Sequence, residues 1–226
     1  MCNIIKDTMA RNKKQKFEEL RNLKNVFEWN KEDSKEKIIN LLNNHSNIVL
    51  ELGCGKGEYT VALAKKYPNT LFVGIDIQGE RIWSGAKYAL ENNSDNVCFF
   101  RMRIENLLEY IPKNSIDEIW ITFPDPFPKD RDSRKRLTSP KFLEMYKDIL
   151  KKDGIVHLKT DSKELYNYTL GMIQDIGFRL EKSIEDVYEG GDIENITDIQ
   201  TTFETKHLED GKTIRYLQIK INEVCS

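Results

Sequence analysis

Short apolar runs alternate with segments of helical spacing along most of the chain. Residues 47–52 (NIVLEL), 70–76 (TLFVGID), 97–102 (VCFFRM), 116–122 (IDEIWIT) and 155–160 each read as a strand. Between them, residues 59–66, with Val61, Leu63 and Ala64 on one face, and residues 79–91 and 105–110 carry helical periodicity. Asp33 and Ser34 are placed to cap a helix continuing to about Leu42. Ser139-Pro140 opens another that runs to about Lys151 and stops at Asp153-Gly154, proline being tolerated at the first helical position. Asp161 or Ser162 caps a helix that ends before Gly177. Residues 178–188 and 213–221 read as two further strands joined by a loop with Gly190-Gly191 and no intervening helix. The pattern predicts an α/β fold: a Rossmann-like, doubly wound, mostly parallel sheet of seven strands with an antiparallel edge hairpin. Residues 1–30 are polar and weakly periodic and read as a basic arm; residues 31–226 read as one domain.

Composition narrows the picture modestly. With 39% apolar residues in 226, the chain is long enough for one large core, and no apolar run approaches the roughly 20 residues of a membrane span. The start of the chain lacks a signal-peptide pattern, so a cytoplasmic protein without a membrane partner is expected. The cysteines at 2, 54, 98 and 225 form no C-x-x-C pair and lie far from His45, His157 and His207, so neither a metal site nor a disulfide framework is expected. The net charge is −2, but it is unevenly spread: residues 11–16 hold four positive charges and no negative one, and residues 129–136 hold five against two. Two basic stretches on an acidic body suit a localised polyanion contact; solvated loops would have the same composition.

The strand at 47–52 leads into Gly53-Cys54-Gly55-Lys56-Gly57, and a helix follows. Glycines there permit a tight turn and close approach of a ligand to the backbone. Asp76 ends the next strand, where a carboxylate reaches the ribose hydroxyls of a nucleoside-containing cofactor. NAD and S-adenosylmethionine both fit that geometry. The dinucleotide pattern fails, because Tyr59 follows Glu58 where a third small residue belongs. Glu51-Leu52-Gly53-x-Gly55-x-Gly57 instead resembles the first motif of class I methyltransferases, which implies S-adenosylmethionine with its methionine part held by Glu51 and the glycines. That family has an acid for the adenine near the end of the third strand. Arg103-Ile104 stands there in this chain, with Glu105 beyond, which leaves the Ile104 N–H as the candidate contact.

The fourth strand ends at Phe123-Pro124-Asp125-Pro126-Phe127-Pro128-Lys129. Strand carboxyl ends face the ligand crevice in a parallel sheet, so Asp125, fixed between two prolines, is placed near the reacting group. It is the candidate catalytic residue and a candidate cofactor contact. Phe-Pro-Asp-Pro, Lys129, Arg134-Lys135-Arg136-Leu137, Lys159-Thr160-Asp161 and Thr201-Thr202-Phe203-Glu204 together resemble the bacterial tRNA (guanine-N7)-methyltransferase family from about Phe17 onward. The resemblance implies methylation of a tRNA guanine at N7, usually in the variable loop. It also implies that Lys129, Asp161 and Thr201, Thr202, Phe203 and Glu204 lie around the RNA base. Arg134, Lys135 and Arg136 follow the acidic loop directly and are candidates for phosphate contacts. Trp83, Trp120 and His157 read as core. Three alternatives stand beside this reading: methylation of an exocyclic amine, since the 124–127 loop loosely resembles those of adenine methylases; an NAD-dependent dehydrogenase; and a non-catalytic RNA-binding module.

Overall fold

The computed structural model describes residues 13–189 and 193–224. Cys2, Cys225, Gly190-Gly191 and the first two residues of the 11–16 basic stretch lie outside the described residues. Helix α1 includes residues 13–20. Then follow β1 (Val26–Glu28), α2 (Ser34–Asn43), β2 (Ile48–Leu52), α3 (Glu58–Lys66), β3 (Leu71–Asp76), α4 (Gly79–Glu91), β4 (Val97–Arg101), α5 (Leu107–Tyr110), β5 (Ile116–Thr122), α6 (Pro140–Ile149), β6 (Leu150–Thr160), α7 (Lys163–Ile176), β7 (Phe178–Ile184), α8 (Thr202–Glu209) and β8 (Arg215–Val224).

Eight strands form one sheet in the order β1-β4-β3-β2-β5-β6-β8-β7. The first six in that order are mutually parallel, and β8 runs antiparallel to both β6 and β7. The period-two alternation of strand side chains divides the core between the two faces. Ile48, Leu50, Leu52, Cys98, Phe100, Ile119 and Ile121 pack with α2, α6 and α7 on one face. Val49, Phe99 and Trp120 pack with residues of α3 and α4 and with Leu20 of α1 on the other. Free Cys54 and Cys98 are both buried, and His157 stacks on Trp120 at 4.0 Å inside the second core. Trp83 is half-buried on α4, between the ammonium groups of Lys16 and Lys87, each 4.8 Å from its ring.

Four features differ from the sequence expectation. The helix expected to run to about Lys151 ends at Ile149, and β6 already begins at Leu150. The sheet has an eighth strand, β1, which pairs with β4 and is anchored by Glu28 on Arg101 at 2.7 Å. Three residues are too few to show alternation. The last two strands do have a helix between them, α8, whose one buried residue is the glutamate Glu204. A helix without an apolar stripe gives no periodic signal. Ser34 does not cap α2 through its side chain, and neither does Asp33; the Ser34 hydroxyl donates to the Glu28 carbonyl at 2.7 Å.

From β2 the chain builds outward through β3 and β4, then crosses to place β5 on the other side of β2. The carboxyl ends of β2 and β5 therefore diverge at a topological switch point, where open α/β sheets bind ligands.

Candidate active site

The glycine loop is shaped by left-handed backbone at all three glycines, with φ of 72°, 55° and 71° at Gly53, Gly55 and Gly57. The Gly53 and Cys54 amides donate to the Ile75 carbonyl, folding the loop back over the end of β3. The Asp76 carboxylate accepts from Gly55 N at 2.9 Å and Gln78 N at 2.8 Å, so one acid fixes the loop and the strand end together. A Cβ at Gly55 would meet nothing within 4 Å, so the loop opens onto free space there. Behind the loop, a Cβ at Gly85 would lie 2.4 Å from the Lys56 carbonyl, which requires glycine for α4 to approach the loop this closely.

Glu51, almost fully buried near the end of β2, accepts hydrogen bonds from the Thr60 amide at 2.9 Å, from the Thr60 hydroxyl and from the Thr122 hydroxyl at 2.7 Å. It thereby ties the first turn of α3 and the end of β5 to β2. Burial pushes its carboxyl up to about 7, against the lowering effect of the threonine hydrogen bonds.

A cavity of about 530 Å³ opens at the switch point. Glu51, Gly53, Gly55, Asp125, Thr201, Thr202 and Phe203 line it, so segments far apart in sequence meet there. Sequence reasoning missed Lys56, Glu58, Arg81, Thr122, Phe123 and Lys206, which line the same cavity. Gly57 caps α3 at its back, and Arg103 is exposed and Ile104 half-buried beyond β4, outside its lining. A hollow of about 510 Å³ runs between α3 and α4 and reaches none of Glu51, Thr122 and Asp125.

Asp125 is exposed at the cavity. The loop that carries it holds Phe123 at φ 49° and Phe127 at φ 43°. Left-handed backbone in a bulky residue costs on the order of 1–3 kcal/mol and persists only where the surroundings enforce it. Arg136 supplies part of that enforcement. Its guanidinium donates to the Pro126 and Phe127 carbonyls at 3.0 Å, lies over the Tyr168 ring at 4.2 Å and is 3% exposed. The expectation that Arg136 meets phosphate is corrected by this placement: the cation is consumed in holding the loop. Lys129, Arg134 and Lys135 of the same stretch are exposed, with Lys135 on Asp132 at 2.7 Å.

The opposite wall is α8. Thr201 caps it by accepting from Glu204 N at 3.2 Å, and Thr202 binds both oxygens of Glu58, joining α8 to the start of α3. Glu204 does not face the cavity. Fully buried, it pairs with Lys159 at 2.7 Å and accepts from the Tyr188 hydroxyl at 2.8 Å. Lys159, equally buried, also donates to the Ile196 and Ile199 carbonyls. Burial lowers the lysine from its ordinary value, partly opposed by the Glu204 charge. Glu204 is thus corrected from a side chain around the base to an internal anchor of α8. Phe203 is 49% exposed, its ring 5.3 Å from Phe123 and 4.0 Å from His207. Ser162, not Asp161, caps α7; Asp161 instead holds His207 at 2.8 Å and Lys212 at 2.9 Å. Burial raises the Asp161 carboxyl, but the Lys212 hydrogen bond and the nearby His207 charge outweigh it and hold it below the usual range.

A glycine cradle at the switch point, with an acid-bearing loop at the end of the neighbouring strand, defines a Rossmann-like ligand-binding enzyme fold. Comparisons with known proteins refine that class. A family model described as "Putative methyltransferase" matches residues 45–217. A tRNA (guanine-N(7)-)-methyltransferase of Christiangramia forsetii is 45% identical over 94% of this chain and 99% of its own length. The Bacteroides fragilis protein of the same name is 38% identical over 93% and 86%. Among solved structures, a SAM dependent methyltransferase from Aquifex aeolicus shares the fold with a TM-score of 0.54 at 17% identity, over 83% of this chain and 89% of that one. The chain belongs to the tRNA (guanine-N(7)-)-methyltransferase family.

Proposed function

We propose that this enzyme, working in the cytoplasm, transfers a methyl group from S-adenosylmethionine to N7 of a guanine in the tRNA variable loop. The observation that carries the reading is the single cavity in which the glycine cradle, Asp125 and the Thr201–Phe203 wall meet. The residues fit the cofactor: Gly55 leaves open space at the cradle, and each Asp76 oxygen that accepts one amide retains a lone pair for a ribose hydroxyl. Glu51 and Gly53 lie where the amino-acid part would be held, and the end of β4 at Arg103-Ile104 is the candidate adenine side. When bound, S-adenosylmethionine supplies an activated methyl group on a sulfonium.

Guanine N7 carries a lone pair and no proton, so the chain need not supply a strong base. Positioning then provides most of the rate, an effect worth about 7–11 kcal/mol in well-oriented systems. Asp125 accepts a hydrogen bond from the guanine edge and stabilises the positive charge that the ring acquires. Phe123 and Phe203 bound the space beside it. Lys129, Arg134 and Lys135 meet phosphates around the target.

Purified protein, labelled S-adenosylmethionine and unmodified tRNA, followed by nucleoside analysis, test this. Label is expected in N7-methylguanosine and is expected to vanish when the variable-loop guanine is replaced by adenine. Label in an exocyclic-amine product would refute the N7 assignment, and label that survives the replacement would refute the position.

A further inference from the structure

Three cations from three separate elements converge on the rim of the reaction cavity: Lys56 of the glycine loop, Arg81 of α4 and Lys206 of α8. We propose that they form an anion clamp for the RNA phosphates flanking the target nucleotide. The inference rests on the reading of the enzyme as acting on tRNA, and it adds a binding site remote in sequence from the 129–136 loop.

Local structure does not account for two of these charges, Lys56 and Arg81; Lys206, in the last turn of α8, complements that helix's dipole. Arg81 is the third residue of α4 and Lys56 immediately precedes the Gly57 cap of α3. A cation near a helix N-terminus opposes the helix dipole, so neither stabilises its helix. The carboxylates nearby are occupied. Glu80 pairs with Lys13 at 2.9 Å, and Glu58 binds Thr202 through both oxygens, with Lys56 only at its margin, 3.9 Å away. No ion pair of Arg81 or Lys206 is found among the described residues, and the Arg81 charge acts on Glu80 beside that of Lys13. All three side chains are exposed while lining one cavity. The first turns of α3 and α8 line it too, but the Glu58 carboxylate, in the first turn of α3 and bound to the Thr202 amide, already meets both helix ends, so the anion field comes from the three side chains. Asp125 keeps the interior of the site acidic, where positive charge develops on the base. The rim therefore attracts anions and the floor favours cations, as a polyanion carrying a base that becomes cationic requires.

The same anion chemistry would hold a carboxylate of the cofactor's amino-acid part, and the test separates the two. Lys56→Ala, Arg81→Ala, Lys206→Ala and the triple variant are compared with wild type in tRNA binding across a salt series and in S-adenosylmethionine binding by calorimetry. Phosphate contact is expected to make the plot of log K against log salt shallower by roughly 0.7–0.9 per charge removed. The triple variant is expected to bind tRNA about tenfold or more weakly, from the same counterion term, and Arg81→Ala and Lys206→Ala, outside the glycine loop, are expected to keep cofactor affinity. Weakened cofactor binding with an unchanged salt slope would assign the cations to the carboxylate and overturn the proposal. Unchanged slope and unchanged affinity for both would overturn it outright. These binding readouts need no turnover, so they stand apart from failure of the N7 assignment, which nucleoside analysis detects.

Discussion

The two walls of the cavity are built in different ways. The glycine-loop wall is largely local: residues 51–85 supply the cradle, the acid that fixes it and the glycine against which α4 packs, and the hydrogen bonds that shape the loop and hold Glu51 span at most 22 residues apart from the tie of Glu51 to Thr122. The opposite wall is assembled from distant pieces. Lys159 reaches Glu204 across 45 positions, and Thr202 reaches Glu58 across 144. Both ends of the Lys159–Glu204 pair are fully buried, and the loop bearing Asp125 is held in left-handed backbone by an arginine ten residues away. On the proposed function, the wall that would take the small cofactor is a compact local motif, and the wall that would meet the RNA base is suspended on long-range polar contacts that depend on the rest of the fold.

Breaking the distant wall is expected to have the largest effect. Lys159→Ala or Glu204→Ala leaves the other charge buried without its partner and is expected to destabilise the fold by about 3–5 kcal/mol. Combining Lys159→Met with Glu204→Leu removes both charges and is expected to lose much less. Thermal unfolding checks this, and equal losses for single and double variants would contradict the account of the pair.

On the local wall, the buried acid sharpens the comparison. The Glu51 carboxyl is raised from 4.5 to about 7, so between those values the folded state holds a proton that the unfolded state has released. Stability contributed at low pH is therefore lost progressively as pH rises through that window and is level above it. The loss amounts to about 3 kcal/mol at most. Glu51→Gln is expected to flatten the dependence of Tm on pH between about 4.5 and 7; an unaltered profile would refute the buried-acid assignment.

The smallest effects separate Arg136 from its neighbours. Arg134→Ala with Lys135→Ala is expected to reduce the salt slope of tRNA binding by roughly 1–2 with little change in stability. Arg136→Ala is expected to leave the slope alone and to lower stability by about 1–3 kcal/mol, because the Pro126 and Phe127 carbonyls lose their donor. A shallower slope for Arg136→Ala would return it to the RNA interface.

The same contrast governs what the sequence could reveal. The strand, glycine loop and acid of the local wall are readable because spacing and geometry are set within one β-α-β unit. Asp125 is readable because it sits at a strand end between prolines. The roles of Arg136 and Glu204 are not, because a basic residue in a basic stretch and an acid in a polar segment look solvent-exposed until the fold buries them. Arg81 left a faint trace, a cation in the first turn of a helix. Strand β1 left none, since three residues carry no periodicity.

The most direct test sets wild type beside Asp125→Ala and measures two quantities on each: the Kd for S-adenosylmethionine and the single-turnover rate of N7-methylguanosine formation in tRNA. A nearly unchanged Kd is expected, with a rate lower by roughly 10²–10³-fold, the usual loss when one group stabilising developing charge is removed. A rate equal to wild type, or a Kd weakened as much as the rate, would contradict the role of Asp125 at the reacting base.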